Sequence, residues 1–310
     1  MTLQVGTRDF STITSGPIYP QPKAFLAMTL SIIIPTHARA VLVRRAVESV
    51  LASTNLPTEI VVVEDRTSDA ELALSDFIAN GRIKYLRNTS GSSGASATRN
   101  FGVGSATGSH VLFLDDDDTL HAEYIEKLMP ILSGSSVWGF AASIVDQKIY
   151  KPRGIGSGVL SKRAKFRHKL SGMGMGFWVR RDVYSQIGGL DPLQKVDEDT
   201  DLCCRLIAAG YDPYYLNVPA TYVNRDGMVS RLSSSHDRMT QVGCYFRTLE
   251  KNYDGLSRDR KAVEFLVDRV HRVICKSQEL EKLNMLKPYK IGGFLKFFQY
   301  LRVVKYKIKT

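Results

Sequence analysis

The chain has 310 residues and a mass of 34.6 kDa, with 44% hydrophobic and 24% charged residues. This ordinary globular composition excludes disordered and fibrous classes of protein. The net charge is +11, but eight Lys or Arg and no acidic residue lie between Lys282 and Thr310, which leaves +3 for the rest. The near balance elsewhere argues against a nucleic-acid-binding surface and indicates a basic C-terminal segment.

The cysteines and the N-terminus indicate where the protein resides. The four cysteines, at 203, 204, 244 and 275, show no C-x-x-C spacing, which predicts neither a disulfide scaffold nor a cysteine zinc site and favours a reducing compartment. No apolar run reaches the roughly 18 residues that a membrane-spanning helix needs. Met1 to Met28 lacks the basic and apolar regions of a secretory signal. We therefore expect a cytoplasmic protein.

Short apolar runs alternate with helical patterns in the first half of the chain. Runs rich in β-branched residues predict buried strands, and apolar residues at helical spacing predict helices between them. The expected strands are 30–35, 59–63, 83–86 and 110–114, and the expected helices are 41–52, 69–79, 96–105 and 122–132. This alternation predicts an α/β fold with a parallel sheet and helices on both faces.

Polar clusters follow each of these four strands. They are Pro35–Arg39, Glu64–Asp69, Arg87–Arg99 and Asp115–Asp118. Because ligands in such sheets bind beyond the carboxyl ends of the strands, the clusters predict a nucleotide-type cleft.

The second half has a less regular pattern. A strand is expected at 137–145, a basic loop at 148–169, and helices at 181–187 and 198–209. Helical patterns dominate from Ser235 to the end.

Four consecutive aspartates, Asp115–Asp118, directly follow the fourth strand. Adjacent carboxylates repel one another unless a cation is bound between them. Hard divalent cations prefer such oxygen ligands, often together with substrate phosphates. The alternative is a solvated acidic turn that caps the next helix.

Three acidic residues, Glu198, Asp199 and Asp201, begin a predicted helix. Carboxylates in a first helical turn are favoured by the helix dipole, so simple capping explains them. A carboxylate that projects from a helix start into a cleft can also act as a general base.

Two further features allow both a functional and a structural interpretation. Gly172, Gly174 and Gly176 alternate along a stretch that we expect to be extended, which would leave one face open to a ligand; a flexible linker is the alternative. His236, in a Ser-rich stretch, is a candidate metal or phosphate ligand, although histidine more often has an ordinary role.

The segment 287–310 interleaves Lys and Arg with aromatic and aliphatic residues. This amphipathic, basic pattern suits an anionic membrane surface. RNA binding, or a C-terminal helix that packs on the domain with solvated lysines, would give the same pattern.

The order of six motifs resembles family 2 glycosyltransferases with the GT-A fold, over Thr29 to Asn224. The motifs are LSIIIPTHAR (30–39), EIVVVEDRTSD (59–69), ATRNFG (97–102), VLFLDDDD (111–118), WVRRDVYSQIGGLD (178–191) and EDTDLCCRLIAAGY (198–211). The resemblance implies a Rossmann-like mixed or parallel sheet flanked by helices, with a helical C-terminal extension. It divides the chain into an N-terminal extension (1–28), a nucleotide-binding half (29–128) and an acceptor-binding half (129–235) of one GT-A domain, and a helical, basic region (236–310).

The resemblance also implies roles for individual residues. Donor nucleotide contacts are expected from Pro35, Thr36, Arg39, Asp65, Arg99, Asp115, Asp116 and Asp117, with Asp65 reading the base, usually uracil. Mn²⁺ or Mg²⁺ is expected on Asp117 and Asp115 of the D-x-D pair, with His236 as a further candidate ligand. Asp115 and Asp116 are expected near the ribose and sugar.

On the acceptor side, the resemblance implies that Asp199 is the catalytic base, with Glu198 beside it. Sugar or acceptor contacts are expected at Gly174, Gly176 and Trp178. The implied activity is metal-dependent, inverting transfer from a nucleotide-diphospho-sugar, UDP-linked in most relatives, to a glycan or lipid-linked glycan precursor of a cell-surface polysaccharide. The basic C-terminal segment would then hold the enzyme at the inner face of the membrane.

Some residues depart from the family pattern. Arg66 stands where the second motif usually has glycine, so its turn must avoid a positive φ or bear the cost of one. The processive Gln-x-x-Arg-Trp motif is absent, which favours single addition. A nucleotidyltransferase acting on a sugar phosphate is disfavoured because residues 36–40 contain no glycine. A non-catalytic glycan-binding protein would leave both acidic motifs unexplained.

Overall fold

The structure, a computed structural model, describes residues 28–303 apart from 162, 225–236, 290, 294, 297, 298 and 301. The strands are β1 (Leu30–Thr36), β2 (Glu59–Glu64), β3 (Lys84–Arg87), β4 (His110–Phe113), β5 (Thr119–Leu120), β6 (Trp138–Val145), β7 (Lys148–Tyr150), β8 (Gly158–Val159), β9 (Trp178–Arg180) and β10 (Tyr214–Val223). The α-helices are α1 (Ala40–Leu51), α2 (Asp69–Ala73), α3 (Ser75–Ala79), α4 (Ala95–Ser105), α5 (Tyr124–Leu132), α6 (Arg181–Gln186), α7 (Glu198–Ala208), α8 (Arg238–Leu256) and α9 (Arg260–Ser277). Across these described ranges, no helix combines the length and apolarity needed to cross a bilayer.

One mixed sheet organises the fold, in the strand order β3-β2-β1-β4-β9-β6-β10-β5. Strands β1 to β4 are mutually parallel, and β9 runs antiparallel between β4 and β6. The chain leaves β1 towards β2 and β3 on one side, and β4 lies on the other side. The carboxyl ends of β1 and β4 therefore form a topological switch point, where open α/β sheets bind ligands.

Alternating side chains of the strands supply two cores, one on each face of the sheet. Ile32 and Ile34 of β1 belong to a cluster with α1 and α5, while Ile33 belongs to a cluster with α4, α6 and α7. All three isoleucines are fully buried. The predicted α/β architecture with helices on both faces is confirmed.

Two predictions about helices and loops were wrong. The helix expected at 69–79 is interrupted at Leu74, which separates α2 from α3. The segment 148–169, expected to be a loop, contains β7, β8 and a 3-10 helix at Phe166–Lys169. Asp146 and Gln147 join β6 to β7 with φ of 48° and 61°, a turn usually marked by glycine, so its sequence signal was missing.

Helices α8 and α9 pack against the α/β layers. Their apolar side chains form a third cluster that includes Phe166 and Cys204 of the preceding region. Asp201 of α7, which is fully buried, pairs with Lys251 of α8 at 3.0 Å and accepts a hydrogen bond from Asn252 at 3.0 Å. The predicted division at residues 235 and 236 stays a prediction.

Part of the basic C-terminal segment contacts α9. Arg302 pairs with Asp268 at 2.9 Å, and the backbone N–H of Gly292 donates to Glu264. These contacts support packing on the protein for that part of the segment. His236, the candidate ligand, and residues 1–27 lie outside the described residues.

Candidate active site

A cavity of about 460 Å³ opens at the carboxyl ends of β1, β2 and β4. It brings together the donor-side residues expected from the sequence, which are Pro35, Thr36, Arg39, Asp65, Arg99, Asp115, Asp116 and Asp117. Glu198 lines the same cavity from the start of α7, together with Gly172 and Gly174. The ends of these strands therefore meet Glu198, at the start of α7, in one cavity.

Three carboxylates after β4 form a cluster. Oxygens of Asp115, Asp117 and Asp118 lie within 4.8 Å of one another. Oxygens on opposite sides of a six-coordinate Mg²⁺ are about 4.2 Å apart, given metal–oxygen bonds near 2.1 Å, so only a small adjustment is needed. The oxygen-only donor set fits a hard divalent cation.

Asp118 was not among the expected metal ligands, although it belongs to the same aspartate run. Its side chain is buried, and Asn224 donates to it from its backbone N–H at 3.3 Å. The Asn224 side-chain amide also donates to the Asp117 carbonyl at 2.8 Å. The end of β10 thus fixes the acidic turn from the side opposite β1.

Asp116 has a different environment from its neighbours. It is buried, and it accepts hydrogen bonds from the Thr36 hydroxyl at 2.7 Å and from the Arg39 guanidinium at 2.9 Å. Burial raises the pKa of Asp116, and these two donors oppose that rise. The side chain thus ties the turn after β4 to the loop after β1, whereas the sequence placed it near the ribose and sugar.

Arg99 connects the two acidic groups. Its guanidinium, almost fully buried, lies 2.6 Å from Asp115 and 3.5 Å from Glu198. The sequence placed Arg99 near the nucleotide, and it does line the cavity. Its contacts are with carboxylates of this chain, so it fixes the spacing between the aspartate run and α7.

Glu198 and Asp199 are both harder to ionise than ordinary carboxylic acids. Burial, and then the charge of Asp199, raise the pKa of Glu198 to about 7. Burial raises the pKa of Asp199 as well, and the charge of Arg269 opposes that rise. Perturbed carboxyl groups beside a cavity are typical of acid–base sites.

The two carboxylates differ in orientation. Oδ1 of Asp199 accepts a hydrogen bond from the backbone N–H of Thr200 at 2.6 Å. A Cβ atom added to Gly172 would lie 3.4 Å from Oδ2 of Asp199, so that oxygen sits directly behind the cavity wall. Glu198, by contrast, lines the cavity and faces Arg99.

The glycine-rich stretch is a turn and not the extended segment expected. The backbone N–H of Met175 bonds to the carbonyl of Gly172. Gly176 has a φ of 59°, and its carbonyl accepts a hydrogen bond from the buried Tyr124 hydroxyl. Trp178 is completely buried in β9 beside Gly139. Gly176 and Trp178, expected to contact sugar or acceptor, are therefore outside the cavity lining, and only Gly174 of the three is part of it.

Substitution of alanine at Gly174 and at Gly176 should have different effects, the first on metal binding and the second on stability. A Cβ at Gly174 would lie 3.0 Å from Asp118 and 3.2 Å from Asp115, so Gly174→Ala should displace the carboxylates and weaken divalent-cation binding about tenfold with little loss of stability. A Cβ at Gly176 would meet Ala220 at 2.4 Å, so Gly176→Ala should destabilise the fold by about 2 kcal/mol or more. Calorimetric Mn²⁺ titration and urea unfolding measure the two effects. Equal metal affinity in Gly174→Ala and wild type would contradict this assignment.

Asp65 is fixed at the far end of the cavity. It accepts hydrogen bonds from the backbone N–H of Gly94 at 2.7 Å and from the Asn88 amide at 3.2 Å. The next residue, Arg66, has a φ of 63° and is exposed. The turn therefore bears the cost of a positive φ without the glycine that usually relieves it.

Two cavity residues, Ser143 and Tyr150, were not anticipated. They face each other across the β6–β7 pair. Tyr150 was missed because β7 itself was not recognised, and Ser143 was missed because nothing distinguished it within the strand expected at 137–145. These two strands form one wall of the cavity.

Comparison with known proteins agrees with this geometry. The sequence profile described as "Glycosyl transferase family 2" matches residues 31–188. An "Uncharacterized glycosyltransferase" of Haemophilus influenzae is 27% identical over 206 residues, which cover 62% of this chain and 67% of that protein. The GalNAc(5)-diNAcBac-PP-undecaprenol beta-1,3-glucosyltransferase of Campylobacter jejuni is 35% identical over 102 residues, which cover 32% of this chain and 33% of that protein.

A third sequence relative and a solved structure extend the comparison. The poly(ribitol-phosphate) beta-N-acetylglucosaminyltransferase TarP of Staphylococcus aureus is 33% identical over 104 residues, 32% of this chain and 31% of that protein. The crystal structure of S. aureus TarS 1-349 in complex with UDP-GlcNAc has a TM-score of 0.61 at 15% identity, covering 90% of this chain and 89% of that one. This structural likeness shows the fold, which is of the GT-A type.

Proposed function

Because this chain belongs to glycosyl transferase family 2, we propose that it is an inverting enzyme that transfers a sugar from a nucleotide-diphospho-sugar to an acceptor hydroxyl. One observation carries the proposal. A cluster of carboxylates suited to a divalent cation and Glu198 line a single cavity at the topological switch point, and Asp199 lies directly behind the wall that Gly172 forms. Displacement of a diphosphate by a hydroxyl needs groups of both kinds, one for the leaving group and one for the proton.

The donor would lie along the carboxyl ends of β1, β2 and β4. We assign the nucleobase of the donor to the neighbourhood of Asp65 and its diphosphate to the aspartate run, as the order of the motifs suggests. A UDP-linked donor is favoured because the similar TarS structure contains UDP-GlcNAc. Arg39 and Arg99 hold the carboxylates in place on either side.

Asp115, Asp117 and Asp118 would hold Mn²⁺ or Mg²⁺. When bound, the ion would neutralise charge that develops on the leaving diphosphate. Asp115 and Asp117 are both partly exposed, whereas Asp118 is buried; Asp115 pairs with Arg99 at 2.6 Å and Asp117 pairs with Arg39 at the longer distance of 3.3 Å. Asp116 holds the turn through Thr36 and Arg39 and takes no part in metal binding.

Asp199 is the proposed base. Its Oδ2 atom faces the cavity wall at Gly172, while Glu198 is engaged by Arg99. A raised pKa makes Asp199 a stronger base once it is ionised. The acceptor hydroxyl would approach from the β6–β7 side and lose its proton to Asp199 as the new glycosidic bond forms and the bond to the diphosphate breaks, which inverts the anomeric carbon.

The acceptor is proposed to be a glycan or lipid-linked glycan precursor of a cell-surface polysaccharide. Two relatives, an undecaprenol-linked glycan glucosyltransferase and a poly(ribitol-phosphate) transferase, support this class of acceptor by their names. Lys148 adds to that support, because it is exposed and lies opposite Val145 at the cavity. A cation there suits an acceptor that carries phosphate.

Calorimetric binding of UDP, GDP, CDP and dTDP, each with Mn²⁺ and with EDTA, tests the proposal. We expect UDP to bind at least tenfold more tightly with Mn²⁺, because an ion held by Asp115, Asp117 and Asp118 would offset the negative charge of the diphosphate. Binding of nucleoside triphosphates with release of pyrophosphate would instead indicate a nucleotidyltransferase. Tight glycan binding without turnover would indicate a non-catalytic protein.

Contact between the basic C-terminal segment and an anionic membrane is a separate part of the proposal. Its support is the concentration of eight Lys or Arg after residue 281 without an acidic residue. Cosedimentation with phosphatidylglycerol vesicles that does not change on removal of residues 287–310 would contradict it.

A further inference from the structure

Arg269 of α9 contacts the start of α7, the helix that begins with Glu198 and Asp199. Its guanidinium donates to the Thr200 hydroxyl at 2.7 Å and also to a carboxylate oxygen of Asp197. It lies 4.8 Å from the centroid of the Tyr245 ring, a distance typical of a cation–π contact. Contacts on several sides therefore fix its position.

Asp197 occupies a strained position immediately before Glu198 and Asp199. Its φ is 68°, in the left-handed region that residues other than glycine rarely adopt. Its side chain is only 2% exposed. An ion pair with Arg269 stabilises both the buried charge and the backbone turn, so it fixes the direction in which the chain enters α7.

The charge of Arg269 also acts on Asp199. It opposes the effect of burial and lowers the pKa of both Asp199 and Asp197. The charged and titratable groups that face Asp199 are Asp197, Glu198, Cys203, Arg99 and Arg269. Arg99 also lowers the pKa of Asp199 but is paired with Asp115 and Glu198, whereas Arg269 has the larger effect and is paired with Asp197.

We propose that Arg269 is a positioning residue for the transfer reaction: it holds the Asp197 turn at the start of α7 and supplies positive charge beside Asp199. This inference rests on the proposed function, in which Asp199 is the base. It adds a requirement that the family profile does not include, because the profile ends at residue 188 and Arg269 lies in α9.

The test uses the full chain with Arg269→Gln, Arg269→Lys and the control Arg272→Gln. Arg272 lies on the same helix, is half-exposed and pairs with Asp268 at 3.1 Å. The readouts are kcat between pH 5.5 and 9.5, UDP affinity with Mn²⁺, and the ¹³C carboxyl titration of Asp199, which is assigned by its loss in Asp199→Asn.

In Arg269→Gln we expect the Asp199 titration and the acid limb of kcat to move up by about one pH unit. At pH 7 kcat should then fall about tenfold and largely recover at pH 9, because the deficit comes from protonation of the base. UDP affinity should stay within about twofold of wild type, since Arg269 does not line the cavity. Arg272→Gln should match wild type in all three readouts.

An unchanged Asp199 titration and acid limb in Arg269→Gln would overturn the proposal, whatever happens to the rate. If Arg269→Gln does not fold, Arg269→Lys decides, because an ammonium keeps the charge but lacks the planar fork that reaches Asp197 and Thr200 together. Its Asp199 titration should then be that of wild type while kcat falls; wild-type kcat would overturn the positioning role. If wild type transfers no sugar, the proposed function fails, but the ¹³C titration still tests the charge of Arg269.

Discussion

Asp199→Asn is expected to lower kcat about 10³-fold and leave UDP binding unchanged, within the range lost on removing a general base. The amide has nearly the shape of the carboxylate but cannot accept the acceptor's proton. Steady-state transfer, with calorimetric UDP binding measured on the same preparation, separates the two effects. Turnover within tenfold of wild type would show that Asp199 is not the base.

Glu198→Gln is the matched control, because it alters the neighbouring carboxylate, which faces Arg99 and the cavity. If Asp199 is the base, Glu198→Gln should retain far more activity than Asp199→Asn. If the order is reversed, Glu198 is the base, and the assignment made here is wrong. Either result leaves the fold and the cavity unaffected.

Stability measurements show whether these variants are folded. The pKa of Glu198 is about 7 in the folded protein, above the usual range near 4.3. When the pKa of a carboxyl group is raised by folding, the free energy of unfolding of the protein falls as pH rises from the unfolded-state pKa to the folded-state pKa. Above that range the folded state must bury the charged carboxylate. Glu198→Gln should therefore be more stable than wild type at pH 8, by about 2 kcal/mol, and not at pH 4.

Asp117→Ala is expected to remove the Mn²⁺ dependence of UDP binding and to lower kcat at least about 10²-fold. Asp117 is one of the two partly exposed members of the cluster, and its ion pair with Arg39, at 3.3 Å, is longer than that of Asp115 with Arg99, at 2.6 Å. Titration with UDP in the presence of Mn²⁺ or EDTA measures the effect. A metal dependence equal to that of wild type would exclude Asp117 from the metal site.

Two further variants make this prediction more specific. Asp118→Asn should also weaken Mn²⁺ binding, because Asp118 belongs to the cluster although the D-x-D pattern alone does not include it. Glu123→Gln removes an exposed carboxylate a few residues later and should change neither metal binding nor kcat. If Glu123→Gln weakens binding as much as Asp117→Ala does, the effect comes from net charge and not from coordination.

The cleft could be predicted from the sequence because its signals are local. Buried β-branched runs mark the strands, and parallel strands place the residues that follow them at one edge of the sheet. The groups after β1, β2 and β4 therefore met where expected. The sequence could also identify Asp115–Asp118 as unusual, because four adjacent charges need an explanation.

The roles of individual aspartates could not be predicted in the same way. A turn in which the N–H of Asp118 bonds to the carbonyl of Asp115 directs Asp116 towards Thr36 and directs Asp118 into the cluster. That turn is a property of the folded backbone, and four identical residues carry no signal about it. Arg269 was missed for a related reason, since its partners lie about 70 residues away in the chain.

The contacts between α7 and α8 limit how parts of this enzyme can be exchanged with parts of a relative. Asp201 is completely buried and depends on Lys251 and Asn252 of α8. A hybrid that joined these helices to a foreign α7, or a foreign α8 to this α7, would leave Asp201 with Arg205 of its own helix but without Lys251 and Asn252, and losing part of the support of a buried charge is destabilising. Recombination that swaps donor or acceptor specificity should therefore succeed at junctions before α7, with α7, α8 and α9 inherited as one block.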